Sequence, residues 1–570
     1  MKNKFLPLFL VILGLAVLLR FPFLSTFPPS MVQDEVGLGY SAISIAETGR
    51  DEWGNSYPIV FKSFGDYKPP AFFYATALLY KLIGWQAVLP RITSAIAGVF
   101  IVLMGILWIK KMFKSDELGL VAGLILAVNP WTVHLSRMAL ESNLGLTFFM
   151  AGLNFMSSTK KSYLNMIAAA LFFSLSTYSY HGFRFTVILF LSGLLLTTIG
   201  LNFCKYKNLK KTNIISKNIK NIVIILILST VFSLPGFFSK GATSRLDQTL
   251  NITSDESKLL YENYSNNCHI TFIEFNSFVS KYCNLKYNKY TRPVLIASAG
   301  LVKHFSPAFL FFTGDSSVGR NPIQQGEFFI ILFPIWMIGS LIALKYYKKY
   351  FPIIIGYFIS VLPSTFSGDP HAIRMSIHIP FVVAVITLGY KYLKTRIKYF
   401  SILFISLTLV MTSVFVFTYA VDTYATNEKT STFLSYAKTI AKISYEYAQN
   451  GYIVYADHDL YPEPHIYYAY WNKIDPRLAQ QSFADFYQEG SGFTRPTKFG
   501  DSVYFQEGDI RSLACDPSYN QKTVFITNDP VVFAPQQIVK ENTNTFTFAY
   551  IYELDAIKTN KVTLLSFCNH

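Results

Sequence analysis

Gln33-Asp34-Glu35 sets two adjacent carboxylates about ten residues beyond the first apolar run of the chain. Carboxylates at such a boundary could act as general bases or as metal ligands. An acidic pair opening a helix over 36–48 is also what the helix dipole favours on its own, so residue type leaves both readings open. Further on comes Phe64-Gly65-Asp66-Tyr67-Lys68-Pro69-Pro70. The paired prolines open a helix running to Leu82, which puts Lys68 at its start. There its ammonium and the free helix N–H groups could meet a phosphate, with Asp66 and Tyr67 beside it. The alternative is an interfacial lysine among aromatics, a common bilayer-boundary arrangement. Three more pairs draw attention. Arg137 and Glu141 are spaced i,i+4, while His181/Arg184 and His371/Arg374 are spaced i,i+3, so each pair would share one helix face.

The elements that must position these residues are apolar. Of 570 residues, 51% are hydrophobic and only 15% charged, against about 25% charged in an average soluble protein. Apolar runs near bilayer-crossing length recur along most of the chain. The net charge of +16 could suggest nucleic acid, but its distribution argues otherwise. Six short segments between apolar runs (1–4, 110–117, 158–162, 205–220, 345–349 and 391–398) hold 20 Lys/Arg and two acids, Asp116 and Glu117. The rest of the chain is close to neutral. This is a positive-inside signal, with no nucleic-acid partner expected.

With those loops inside, the sequence predicts about eleven transmembrane helices. The spans are 5–24, 88–109, 118–134, 139–157, 163–179, 183–203, 221–239, 326–344, 350–366, 374–390 and 400–420. The first is read as an uncleaved span because no Ala-x-Ala exit follows it. The expected fold is an all-α polytopic membrane domain over 1–420, with outer loops 25–87 and 240–325. A small α/β extracytoplasmic domain over 421–570 follows. In that tail, 430–448 reads as a helix, and 531–533, 546–554 and 561–567 read as strands. The expected location is the plasma membrane, multi-pass, with the tail on the extracytoplasmic side.

Cysteine placement agrees with this layout. Cys268 and Cys283 share one outer loop, and Cys515 and Cys568 share the tail, so two disulfides are expected. Cys204 sits at a cytoplasmic helix end. No CxxC or His-rich cluster suggests a structural zinc site. Asn251-Ile-Thr253 and Asn263-Tyr-Ser265 match the glycosylation sequon, a short and frequent pattern.

Taken in order, Asp34-Glu35, FGDYKPP (64–70), LPR (89–91) and SRMALESN (136–143) resemble the polyprenol-phosphate-dependent glycosyltransferases of the C superfold. The nearest resemblance is to the protein O-mannosyltransferase-like and aminoarabinose lipid A transferase-like enzymes, over roughly residues 1–420. The resemblance implies that Asp34 is the catalytic aspartate and Glu35 the supporting acid that follows it. Lys68 matches the family's Lys-Pro lysine near the donor phosphate. Arg137 is a weaker match to a basic residue there, and Glu141 stands where many relatives have Asp. His371 and Arg374 are assigned to the donor phosphate by their side of the membrane. Asp66, Tyr67, Glu141, His181 and Arg184 remain candidates for donor or acceptor contacts.

The chemistry is consistent with that resemblance. A transferase on the outer face has no cytosolic nucleotide sugars, whereas a polyprenyl-phosphate sugar that has crossed the bilayer is a workable donor. Displacement at the anomeric carbon needs a base for the incoming hydroxyl, here Asp34, and cations for the leaving phosphate. A retaining double displacement needs a second close carboxylate. Glu35 alternates away from Asp34 in an extended segment, so inversion is expected. The acceptor is a lipid, glycan or protein hydroxyl, membrane lipids are partners, and no cofactor is firmly implied, although a divalent metal would be compatible. The alternatives are a ligase or polymerase using a pyrophosphate-linked glycan, and a transporter or lipid flippase. Transporters tend to carry their site at mid-membrane on interrupted helices, whereas the ionisable residues here cluster outside the spans.

Overall fold

A computed structural model describes residues 2–63, 66–158, 162–205, 212–238, 283, 298, 300–365, 369–430, 432–483, 486–488, 494–506, 508–540 and 547–569. The chain divides into two compact units. One comprises 1–20, 96–136 and 140–416, and the other comprises 21–95, 137–139 and 417–570. The stretch 21–95, expected within the membrane domain, therefore shares a unit with the tail.

The first unit is helical. Each of the eleven expected spans overlaps helical chain. Five helices are long and apolar enough to cross a membrane among the described residues: Leu89–Phe113, His181–Asn202, Asn218–Phe237, Ser376–Lys394 and Phe400–Ala425. Asp116–Val128 and Pro130–Arg137 form a pair bent by 55° that would make a sixth span if counted as one. The bend has a local cause. Pro130 has no N–H to continue the helix, and Asn129 is extended. Buried Arg20 collects the carbonyls this break leaves open, at 3.0 Å from Leu126 O and 2.8 Å from Ala127 O. Elsewhere helices meet at glycine. A Cβ on Gly339 would lie 1.9 Å from Val385 O, and one on Gly389 would lie 1.9 Å from Ile335 O, so only glycine lets Phe333–Lys345 and Ile379–Lys394 approach this closely.

The second unit joins the first long loop to the tail through one apolar core. Val36, Tyr40 and Ile43 of the helix Gln33–Thr48 pack with Ile440 of Ser435–Gln449, with Ile466 and Tyr467 of Pro464–Trp471, and with Val454 of the sheet. Ten strands occur among the described residues. They are β1 (Phe61–Ser63), β2 (Asp66–Lys68), β3 (Ile453–Ala456), β4 (Phe486–Gln488), β5 (Thr494–Pro496), β6 (Lys498–Phe499), β7 (Val503–Tyr504), β8 (Thr523–Thr527), β9 (Gln537–Lys540) and β10 (Thr547–Glu553). The main sheet has order β6-β7-β3-β8-β10-β9. Its centre, β7-β3-β8, is parallel, and its flanks are antiparallel. β8 (Thr-Val-Phe-Ile-Thr) is buried along its length, as a central strand covered on both faces should be.

Two expected strands are not strands. Residues 561–567 belong to the helix Lys561–Asn569. Leu564 and Phe567, one turn apart, pack against the cluster of Phe525, Leu554 and Ile557. An apolar run this short does not by itself distinguish the two periodicities. Residues 531–533 are irregular, because Pro530 and Pro535 flank them and remove ladder donors. The expected strand 546–554 is β10, and the expected helix 430–448 is Ser435–Gln449. A disulfide joins Cys515 and Cys568, whose Cα atoms are 5.7 Å apart. The expected partner of Cys283, Cys268, lies outside the described residues, as do both sequons.

Candidate active site

Asp34 and Lys68 are brought together. Asp34 occupies the first turn of Gln33–Thr48, where the free N–H groups favour an acid. Lys68 ends the β1–β2 hairpin, paired in register with Phe61. Phe61 stacks on Phe73 at 3.9 Å, which fixes the hairpin to the helix Ala71–Ile83 that Pro70 caps. Lys68 Nζ then lies 2.5 Å from Asp34 Oδ1. The Asp34 side chain is 53% exposed and that of Lys68 only 8%. The lysine is thus held in place by its surroundings, while the carboxylate remains open to solvent. Asp66 precedes them on β2, and Tyr67 between them is half-buried.

Glu35 does something different from its neighbour. It is fully buried and forms a two-pronged ion pair with fully buried Arg91, with Nε to Oε1 and Nη2 to Oε2 both at 2.8 Å. Its carboxylate also accepts Ala139 N–H at 2.8 Å and Val32 N–H at 3.1 Å. Arg91 in turn donates to the carbonyls of Leu24 and Pro28 at 2.8 Å, and to that of Ser30. This network fixes the loop 24–32 in front of the helix that carries Asp34. With both oxygens occupied, Glu35 is a positioning residue and does not form a carboxylate pair with Asp34. The LPR segment (89–91) contained Arg91, but the spacing gave no indication that it would pair with Glu35.

A third carboxyl nearby was not singled out in the sequence. Glu52 is fully buried and accepts a 2.8 Å hydrogen bond from Ser41 Oγ. Ser41 lies seven residues after Asp34, on the same helix face. Burial pushes the Glu52 carboxyl up to about 8, a shift that Ser41 and Lys68 oppose and Asp51 reinforces.

Arg137 does not share a helix face with Glu141. Arg137 ends the helix Pro130–Arg137, and Glu141 begins the separate helix Glu141–Met156. The chain breaks between them, so the i,i+4 relation does not apply. Arg137 donates to the carbonyls of Pro22 at 2.8 Å, Phe23 at 3.1 Å and Phe27 at 3.0 Å, and lies 6.0 Å from the Tyr419 ring. These contacts make it a second clamp on the segment after Arg20.

In the helical unit, His371 and Arg374 occupy one turn before the helix Ile379–Lys394, with Met375 N–H bonded to His371 O. Burial and the neighbouring Arg320 and Arg374 lower His371 to about 4. It is neutral at pH 7 and offers a hydrogen bond rather than a charge. The same turn is tied down by Asp315, another residue the sequence did not flag. Asp315 pairs with Arg320 at 2.7 Å and accepts the N–H groups of Ala372 and Ser317 at 2.8 Å. Burial works against its charge, but these bonds outweigh burial and hold it below the usual carboxylate range. His181 and Arg184 do share the helix His181–Lys205, and Arg184 is buried. Among the described residues, one group of side chains could hold a metal ion: Asp457, His458 and Asp459, which follow β3 with ligand atoms within 4.8 Å of one another.

No protein-family model and no curated protein matches the chain. Solved structures do. An oligosaccharyltransferase of Archaeoglobus fulgidus, tethered to an acceptor peptide, aligns at TM-score 0.49 with 11% identity over 93% of this chain and 69% of its own. The ArnT of Cupriavidus metallidurans, bound to undecaprenyl phosphate, aligns at TM-score 0.50 with 12% identity. That alignment covers 96% of this chain and 97% of ArnT, so the chain has the fold of ArnT.

Proposed function

We propose that this protein is an integral membrane glycosyltransferase. It moves a sugar from a polyprenyl-phosphate donor to an acceptor hydroxyl on the outer face of the membrane, with inversion. The observation that carries the proposal is the exposed Asp34 carboxylate held at a helix start by buried Lys68. The shared fold with ArnT, a protein solved with undecaprenyl phosphate, supports the choice of donor.

In this mechanism the donor phosphate draws Lys68 away from Asp34. The released carboxylate oxygen accepts the proton of the acceptor hydroxyl. The hydroxyl oxygen bonds to the anomeric carbon as the bond from that carbon to the phosphate oxygen breaks. The leaving phosphate keeps the electron pair, and the Lys68 ammonium stabilises it. Glu35 is occupied by Arg91, so no second carboxylate is poised for a covalent glycosyl intermediate, which favours one inverting displacement. Glu35, Arg91 and Arg137 act by fixing the loop and helix that carry Asp34. The excess of Lys and Arg in six short loops supports the sidedness, with residues 34–68 and the tail outside.

The test is to incubate the purified protein with a panel of polyprenyl-phosphate sugars, with and without chelator, and to follow donor consumption. Consumption of at least one donor, with an inverted anomeric product, is expected. Stability of every donor in the presence of acceptor extracts would contradict the proposal.

A further inference from the structure

The helical unit contains a cavity of about 700 Å³ among the ends of six helices, with Phe381 of a seventh helix in its wall. These are the ends that carry or adjoin the basic loops: Lys110 and Lys111 close one helix, and Lys348 opens another. The walls are mainly apolar, with Leu194, Ile225 and Phe381 among them. A space of this size lined only by alkyl and aromatic groups would suit a hydrocarbon chain. Two wall residues carry a further requirement. Trp108 is 2% exposed and Asn221 is 9% exposed, and both line the cavity. Trp108 Nε1 and Asn221 Nδ2 are hydrogen-bond donors with no acceptor among the described residues. A buried donor without an acceptor is destabilising, so these two call for a ligand that brings acceptors along with its chain. Exposed Lys348, also in the lining, adds a positive charge.

We infer that this cavity binds one anionic glycerophospholipid from the leaflet facing the basic loops. An acyl chain lies along the apolar wall, ester oxygens accept from Trp108 and Asn221, and the headgroup phosphate sits near Lys348. That leaflet is the one in which anionic headgroups meet juxtamembrane lysines, each worth roughly a fivefold gain in binding. None of these residues belongs to the proposed catalytic machinery, so the lipid site stands independently of the glycosyltransferase reading.

The experiment is native mass spectrometry of the full chain in detergent, titrated with phosphatidylglycerol or phosphatidylethanolamine of identical chains. The wild type should take up one phosphatidylglycerol in preference to phosphatidylethanolamine. Lys348→Gln, a surface change, should keep lipid uptake and lose about fivefold of that preference. Asn221→Leu keeps the volume but removes a donor, and should weaken uptake of both lipids. Ile225→Trp fills the space and should abolish uptake, with retention of the wild-type melting temperature as the folding control. The inference is overturned if the wild type shows no preference, if Asn221→Leu binds as the wild type does, or if the species retained is a polyprenyl phosphate. If Ile225→Trp does not fold, the Lys348 and Asn221 variants decide the question.

Discussion

Lys68 Nζ and Asp34 Oδ1 are 2.5 Å apart, with the lysine buried and the aspartate half exposed. The two residues belong to different elements, a hairpin end and a helix start, so the pair also holds those elements in register. The proposed mechanism gives Lys68 two partners at different stages: Asp34 before donor arrives, and the donor phosphate afterwards.

Lys68→Ala should therefore weaken apparent donor affinity together with turnover, since it removes a phosphate partner. Steady-state kinetics over a range of donor concentrations would show KM rising as kcat falls. A change in kcat alone would place Lys68 away from the phosphate.

Glu35→Gln and Arg91→Met should differ from changes at Asp34 in what they damage. Each leaves a buried charge without its partner, a loss of about 3–5 kcal/mol. The expected signature is a lowered melting temperature, with residual activity that recovers on cooling. An Arg91→Met variant of wild-type stability would remove the positioning role.

Glu52 provides a pH test. Its carboxyl titrates at about 8 in the folded protein, against 4.5 ordinarily. Between those values the folded form binds a proton that the unfolded chain does not, so stability falls as pH rises through this window. Glu52→Gln keeps the shape and the acceptor for Ser41 but does not titrate. Its melting temperature should change less between pH 5.5 and 8.5, by roughly the share this one group contributes. Parallel wild-type and variant curves across that range would contradict the assignment.

Cys515→Ser should destabilise the second unit by about 2–5 kcal/mol, because the bond to Cys568 constrains the unfolded tail. Limited proteolysis with and without reductant would report this. Equal protection in both conditions would show that the bond adds nothing.

The elements of this fold were largely legible in the sequence because bilayer-length apolar runs and basic loops are long-range signals. Asp34 opens a helix as expected, but Lys68, expected at a helix start, ends the strand Asp66–Lys68 instead; the sequence singled the two out together only through the family resemblance. The pairing of Glu35 was not legible, because the sequence shows an acid beside an acid, whereas its partner Arg91 stands 56 positions away. Arg137 and Glu141 were misjudged because their spacing assumes a helix that breaks after Arg137. Glu52 and Asp315 carry no motif, and their importance comes from burial, which depends on tertiary packing. The strand expected at 561–567 became a helix for a related reason: its apolar residues pack on a cluster that forms only in the folded tail.

The most direct test is donor turnover by Asp34→Asn, measured beside wild type in the same detergent and lipid. The substitution preserves shape, keeps a side-chain oxygen for Lys68 and removes basicity, so it acts mainly on the transition state. The expected result is a loss of about 10²–10⁴ in rate with donor binding retained. Full turnover by Asp34→Asn would contradict its role as the base.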